Sequence, residues 1–325
     1  MISRRRALHG LAAVPAAPLI LATVGCSLEA DAESATWPVE LVWGVHGTRE
    51  GRLHKPRVAA IDADDHLYLA DLTDRIQVFD RNGNYLRGWR TPGLNVDGPS
   101  GLTVDRLGRV LVGDTHFYRV LVYSPEGRIL QQIGDGVQGS TPGRFGYATD
   151  VVIDGAGNFY VAEYGDFDRI QVFSPDGRFL RQWGGHGYDL GQFLRPRALA
   201  IDSDERLYVA DSCNHRIQVF DTEGRLIHHW GERGVGAGQM AFPYDVALAP
   251  DQTLYVCEYG NSRVQRFTRA GESLGTWGGP GREPGLLDGP YSLTVDAQAA
   301  IHVVDSGNHR VQRFRMPETR SRHSA

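Results

Sequence analysis

The stretch Leu207–Phe220 reads LYVADSCNHRIQVF, and its recurrence decides the fold. Related segments begin at Leu67 (LYLADLTDRIQVF), Val110 (VLVGDTHFYRVLVY), Phe159 (FYVAEYGDFDRIQVF), Leu254 (LYVCEYGNSRVQRF) and Ile301 (IHVVDSGNHRVQRF). The acid of each copy falls at Asp71, Asp114, Glu163, Asp211, Glu258 and Asp305, in steps of 43, 49, 48, 47 and 47 residues. A fixed period in this range marks a repeat architecture.

Outward from Leu207 the plan of one unit is legible. Pro196 opens an apolar run that ends in Asp202, and a turn leads to the LYVAD strand. A polar turn holding Asn214 and Arg216 leads to IQVF, and Asp221-Thr222-Glu223-Gly224 turns into a strand ending in Trp230-Gly231. A Gly-rich loop then reaches the next unit. Short strands, tight turns and no helical window describe a propeller blade. The chain has 325 residues, 41% hydrophobic and 22% charged, so its 40 Gly and 16 Pro, in register with the repeat, report turns rather than low complexity.

The expected fold is all-β, a six-bladed β-propeller of four-stranded repeats over residues 37–316. The last unit ends near Phe314 without a Trp-Gly strand of its own, while Val39–Gly44 is an orphan copy of that strand. The N-terminal strand should therefore pair into the last blade and close the ring. Trp43, Trp89, Trp183, Trp230 and Trp277 share one repeat position, with Ile133 as the sixth. They read as packing between blades rather than as a ligand cage.

The pattern LYVAD-SxN-HRIQVF, followed by a turn Gly and a strand ending in Trp-Gly, resembles the NHL-repeat family. Asn214-His215 and Asn308-His309 keep its signature dipeptide. The resemblance implies the propeller and leaves function open. NHL propellers include RNA-binding domains, extracytoplasmic sensor and binding modules, and the zinc lyase that completes peptide amidation.

The N-terminus reads separately. Arg4, Arg5 and Arg6 precede an apolar run, Ala7–Val24, that is interrupted by Gly10, Pro15 and Pro18. Residues 1–25 therefore read as an export signal, twin-arginine-like, and not as a membrane span. Thr23-Val24-Gly25-Cys26 resembles a bacterial lipobox, with Thr23 where Leu is usual, and makes Cys26 the candidate for lipidation. Ala30-Asp31-Ala32 offers ordinary cleavage instead. A tether over 26–36 and a polar tail over 317–325 flank the propeller. The expectation is an exported bacterial protein, periplasmic or held to the envelope only by that lipid. Without residues 1–25, 31 Lys and Arg face 39 Asp and Glu, a formal charge of −8 that opposes nucleic-acid binding. Cys213 and Cys257 stand at inequivalent repeat positions without metal spacing.

The repeated acid and the repeated Arg (Arg75, Arg119, Arg169, Arg216, Arg263, Arg310) read as fastening inside each blade, because a catalytic site is needed once, not six times. Function is sought where the units differ. The residue after the repeat Pro is Arg57, Ser100, Thr149, Arg197, Tyr244 or Tyr291, and the next is Val58, Gly101, Asp150, Ala198, Asp245 or Ser292. On the face above the channel these would gather Arg, Tyr, Asp and hydroxyls. Blades three and five deviate together, with Asp150 accompanied by Glu163-Tyr164 and Asp245 by Glu258-Tyr259. The candidate ligand set is therefore Arg57, Asp150, Glu163, Tyr164, Arg197, Tyr244, Asp245, Glu258, Tyr259 and Tyr291.

Asp150 and Asp245 are also the candidates for holding Ca²⁺ or another divalent cation, or for acting as a general base. The competing reading is a hydrogen-bonded ring of ion pairs around a water-filled channel. No His follows the repeat Pro, a departure from the zinc lyase, and neither zinc-ligand spacing nor a G-x-S-x-G nucleophile is present. The chain is expected to be a monomeric, non-enzymatic module that binds a small ligand or a protein through the Arg/Tyr/Asp face. A lyase or hydrolase using a divalent cation there, and a structural envelope protein, are the alternatives.

Overall fold

The computed structural model describes residues 37–93 and 98–315. The export signal, Cys26, the tether and the polar tail lie outside the described residues. The strands form six four-stranded antiparallel sheets arranged as blades. In the blade of the opening stretch, the inner strand Pro196–Ile201 is followed outward by Leu207–Asp211, Arg216–Phe220 and Leu226–Trp230. The two middle strands are buried along their whole length, because a neighbouring blade covers each face. The outer strand alternates in burial, with one face to solvent.

Closure follows the expected route. Val39–Trp43 forms the outer strand of blade six beside Arg310–Arg315, with Trp43 opposite Val311 and Val39 opposite Phe314. Glu40 adds ion pairs to Arg313, at 3.1 Å, and to Arg315. The repeated Trp packs between blades: Trp183 of blade three lies 5.9 Å from Phe220 of blade four, and Trp230 lies 5.8 Å from Phe267 of blade five. The turn Gly of the next blade sits on the same indole. A Cβ on Gly224 would stand 2.6 Å from the Trp183 ring, and its φ of +81° favours Gly independently.

The acid–arginine pair fastens the blade to its own Gly-rich loop. Arg216 Nε donates to Asp211 at 2.8 Å, and the rest of the guanidinium donates to the carbonyls of Tyr188, Asp189 and Gln192 at 2.8–2.9 Å. Asp211 accepts the N–H of Leu194 at 2.7 Å, and Asn214 donates to Gly187 O at 3.0 Å. The signature His is a latch to the following blade. His215 Nδ1 accepts the N–H of Phe242 at 3.1 Å, and His309 Nδ1 accepts that of Lys55 across the closure at 2.9 Å. Asp168 and Ser262 take the same role toward Arg195 and Gly289. Cys213 and Cys257 are free thiols, Cys257 deeply buried.

Candidate functional site

The site begins with an irregularity. Five inner strands carry a register shift just after the repeat Pro or its substitute Ala148. In a regular strand, successive side chains point to opposite faces; a bulge re-aims one of them. Both residues of a pair therefore reach the channel, as Tyr244 with Asp245 and Tyr291 with Ser292. They line a cavity of about 230 Å³ together with Arg57, Ser100, Asp150 and Arg197. Blade two contributes Gly101 because there is no room for more: a Cβ there would stand 2.3 Å from Thr149 O and 2.8 Å from Asp150 Oδ1.

The two Asp residues are staples between blades. Asp150 accepts the N–H of Leu199 of blade four at 2.8 Å, and Asp245 accepts that of Leu293 of blade six at 2.9 Å. Their other oxygens accept the N–H of Val151 and Val246. Ser292 Oγ continues the pattern by accepting the N–H of Ala59 of blade one at 3.2 Å. Burial first, and the charge of Asp245 second, hold the Asp150 carboxyl well above the usual carboxylate range. Burial likewise pushes Asp245 up to about 6, against the opposing pull of Ser292, two backbone N–H groups and Arg197. Asp245 is walled in by the ring yet keeps some solvent contact within the channel.

Arg197 faces these acids without pairing with them. It is only 5% exposed, its Nε has no hydrogen-bond partner, and no ion pair joins it to either Asp among the described residues. It is instead held between rings, 4.7 Å from the centroid of Tyr244 and 5.1 Å from that of Tyr291. Arg57 lies 5.7 Å from the Tyr291 centroid. Tyr259 backs the cage, stacked 4.5 Å from Tyr244. The guanidinium thus lies over two aromatic rings, and its Nε remains available as a donor.

The structure revises the rest of the candidate set. Glu163 and Glu258 are fully buried and do not line the cavity. Glu163 is committed to Arg169 at 2.6 Å, to Gln171 at 2.7 Å and to the N–H of Gly146. Glu258 is committed to Arg263 at 2.7 Å and Asn261 at 2.6 Å. They do the work of the repeat Asp. Tyr164 stacks on Tyr147 and carries Arg195 at 4.7 Å, away from the cavity lining.

One grouping escaped sequence reasoning. The closure brings His46, His54 and His309 together, with one ring nitrogen of each within 4.8 Å of the others. His46 Nε2 and His54 Nδ1 are 3.2 Å apart. The Lys55 N–H occupies His309 Nδ1, which keeps the proton on Nε2 and leaves that ring no lone pair for a shared metal ion. Asp150 and Asp245 do not fall in any such grouping among the described residues.

The fold and cavity define a class: a closed β-propeller with a polar and aromatic site at the mouth of its channel. An NHL-repeat model matches residues 193–220, the blade of the opening stretch, and the other blades repeat its plan. The chain is a six-bladed β-propeller with an NHL repeat at residues 193–220. No curated protein matches it. Among solved structures it is similar to a streptogramin B lyase, at 14% identity over 85% of this chain and 97% of that one, TM-score 0.59. It is also similar to a catalytically inactive virginiamycin B lyase from Staphylococcus aureus with quinupristin, at 15% identity over 86% and 89%, TM-score 0.58. A gluconolactonase from Xanthomonas campestris aligns at 15% identity over 81% and 86%, TM-score 0.61. Such identities establish the shared fold alone.

Proposed function

We propose that this chain is an exported, non-enzymatic binding module whose channel mouth holds a small ligand. Arg197 carries the reading: its buried Nε has no hydrogen-bond partner among the described residues, a liability to the fold that a ligand accepting from it removes. The test is a thermal-shift screen of a small-molecule library, with Ca²⁺ included, on the wild-type protein and on Arg197→Gln. Ligands that raise the wild-type midpoint and leave the variant unmoved are expected. A library without a hit, alongside a protein captured by crosslinking in the envelope, would favour the structural alternative. Export and anchoring through Cys26 belong to the same proposal; labelled lipid incorporated into the wild type and absent from Cys26→Ser is the expected result.

Catalysis is the second reading. The carboxyl of Asp245, pushed up to about 6, suits a general base near neutral pH. Lyases and a gluconolactonase share the fold. A Ca²⁺ ion at Asp150 and Asp245 would share oxygens that already accept backbone N–H groups. Mass spectrometry of each hit after long incubation separates the readings: an unchanged ligand supports binding, and a product that disappears with Asp245→Asn supports catalysis.

A further inference from the structure

The proposed module leaves the chemistry of its ligand open, and the cavity narrows it. Arg197 offers unused donors on one side. Asp150 and Asp245, on the same cavity, each accept two backbone N–H groups and keep acceptor capacity. Arg197 and the two acids line one cavity and form no ion pair among the described residues, and Tyr244 and Tyr291 lie against the guanidinium. A simple anion on Arg197 would lie beside two acids. A simple cation on the acids would lie beside Arg197. Either arrangement brings like charge onto the same cavity wall.

We propose that the cavity takes a small zwitterion of the amino-acid class, its carboxylate on Arg197 and its ammonium group against Asp150 and Asp245. A molecule with both charges a few bonds apart meets both deficits at once, and a cavity of about 230 Å³ admits such a molecule rather than a folded segment. The aromatic wall of Tyr244 and Tyr291 leaves an apolar surface for the ligand's side chain. The ammonium group also favours ionised acids, so binding releases protons to the buffer.

This inference rests on the binding-module reading, and its test separates the two. The proteinogenic L-amino acids, β-alanine and γ-aminobutyrate are titrated into the wild-type protein by calorimetry at neutral pH, in buffers of different ionisation enthalpy. The best binder is then compared with its amide, which lacks the carboxylate, and with its deaminated acid, which lacks the amine. Each analogue is expected to bind about tenfold more weakly or worse, with proton release for the amino acid that is absent for the deaminated acid. Arg197→Gln is expected to abolish binding and Asp245→Asn to weaken it. The analogue series needs no variant, so a folding defect does not blunt it. A deaminated acid or an amide that binds as well as the parent overturns the zwitterion and leaves the binding module standing. So does a panel without amino-acid binding when the library screen yields another ligand. A wild-type protein that binds nothing in either experiment overturns both.

Discussion

Arg197 is clasped between Tyr244 and Tyr291, at 4.7 and 5.1 Å from their ring centroids, and donates no hydrogen bond within the described chain. Cation–π contact offsets only part of the desolvation of a buried guanidinium. Replacing it by an apolar side chain of similar length should therefore leave the fold intact. Arg197→Met is expected to keep stability within about 1 kcal/mol of wild type, or to raise it, while ligand binding disappears. Denaturant midpoints and calorimetry on the same preparation check both halves. A Met variant that fails to fold would assign Arg197 to the scaffold.

Arg216 is the contrasting case. Its guanidinium is shared between Asp211 and the carbonyls of Tyr188, Asp189 and Gln192. Arg216→Ala leaves the buried Asp211 carboxylate without its counter-charge and the carbonyls of Tyr188 and Asp189 without this donor, for a destabilisation of about 3 kcal/mol. The denaturant midpoint should fall accordingly, and proteolysis should begin in the loop around Gly187–Gln192.

How far the sequence could be read follows from which demands repeat. Every blade solves the same packing and fastening problem, so Trp183, Gly224 and the Asp211–Arg216 pair recur and announce the ring. Most of the positions after the repeat Pro meet at the channel, because a bulge in five of the six inner strands re-aims them. Glu163 and Glu258 misled because Asp-to-Glu exchange in two blades looked like a shared ligand demand. The longer carboxylate reaches the same Arg and Gln partners as the repeat Asp. Asp150 and Asp245 proved to hold backbone N–H groups of the next blade, a partner that no side-chain pattern displays. His46, His54 and His309 met unannounced because ring closure, not spacing, unites them.

Two glycines of matching conformation separate backbone strain from crowding. Gly224 has φ +81° with the Trp183 ring 2.6 Å from a hypothetical Cβ, whereas Gly238 has φ +79° with nothing within 4 Å. Gly238→Ala should cost about 1–2 kcal/mol from the left-handed backbone alone. Gly224→Ala should add about 1–3 kcal/mol of overpacking between blades. Equal losses in the two variants would show that the indole yields freely.

Acid should loosen the latches between blades. Burial holds His215 below the ordinary imidazole value, with Arg233 adding to it. Burial lowers His309 too, followed by the charges of His46, His54 and Lys55. The unfolded chain then takes up protons first as pH falls below about 6.5. Stability from these latches is complete above that value and lost as pH falls through the depressed native values. His309→Asn accepts the left-handed backbone and can still receive the Lys55 N–H, but does not titrate. Its unfolding midpoint should depend less on pH between neutrality and mild acid than that of the wild type.

Asp245 should give the opposite sign. Its carboxyl is raised from 3.8 to about 6 in the folded protein, so the native state holds a proton that the unfolded chain has released. Its contribution to stability is complete below the unfolded value and is lost as pH rises through about 6. Asp245→Asn keeps an oxygen for the Leu293 N–H and cannot ionise. Its amide nitrogen cannot accept the Val246 N–H, a loss independent of pH, and from that offset the variant should gain on the wild type as pH rises through about 6. Midpoints measured for both across this range decide it. A variant that loses ground to the wild type as pH rises would show instead that the ionised carboxylate is the form the ring is built around, with Arg197 as its working counter-charge.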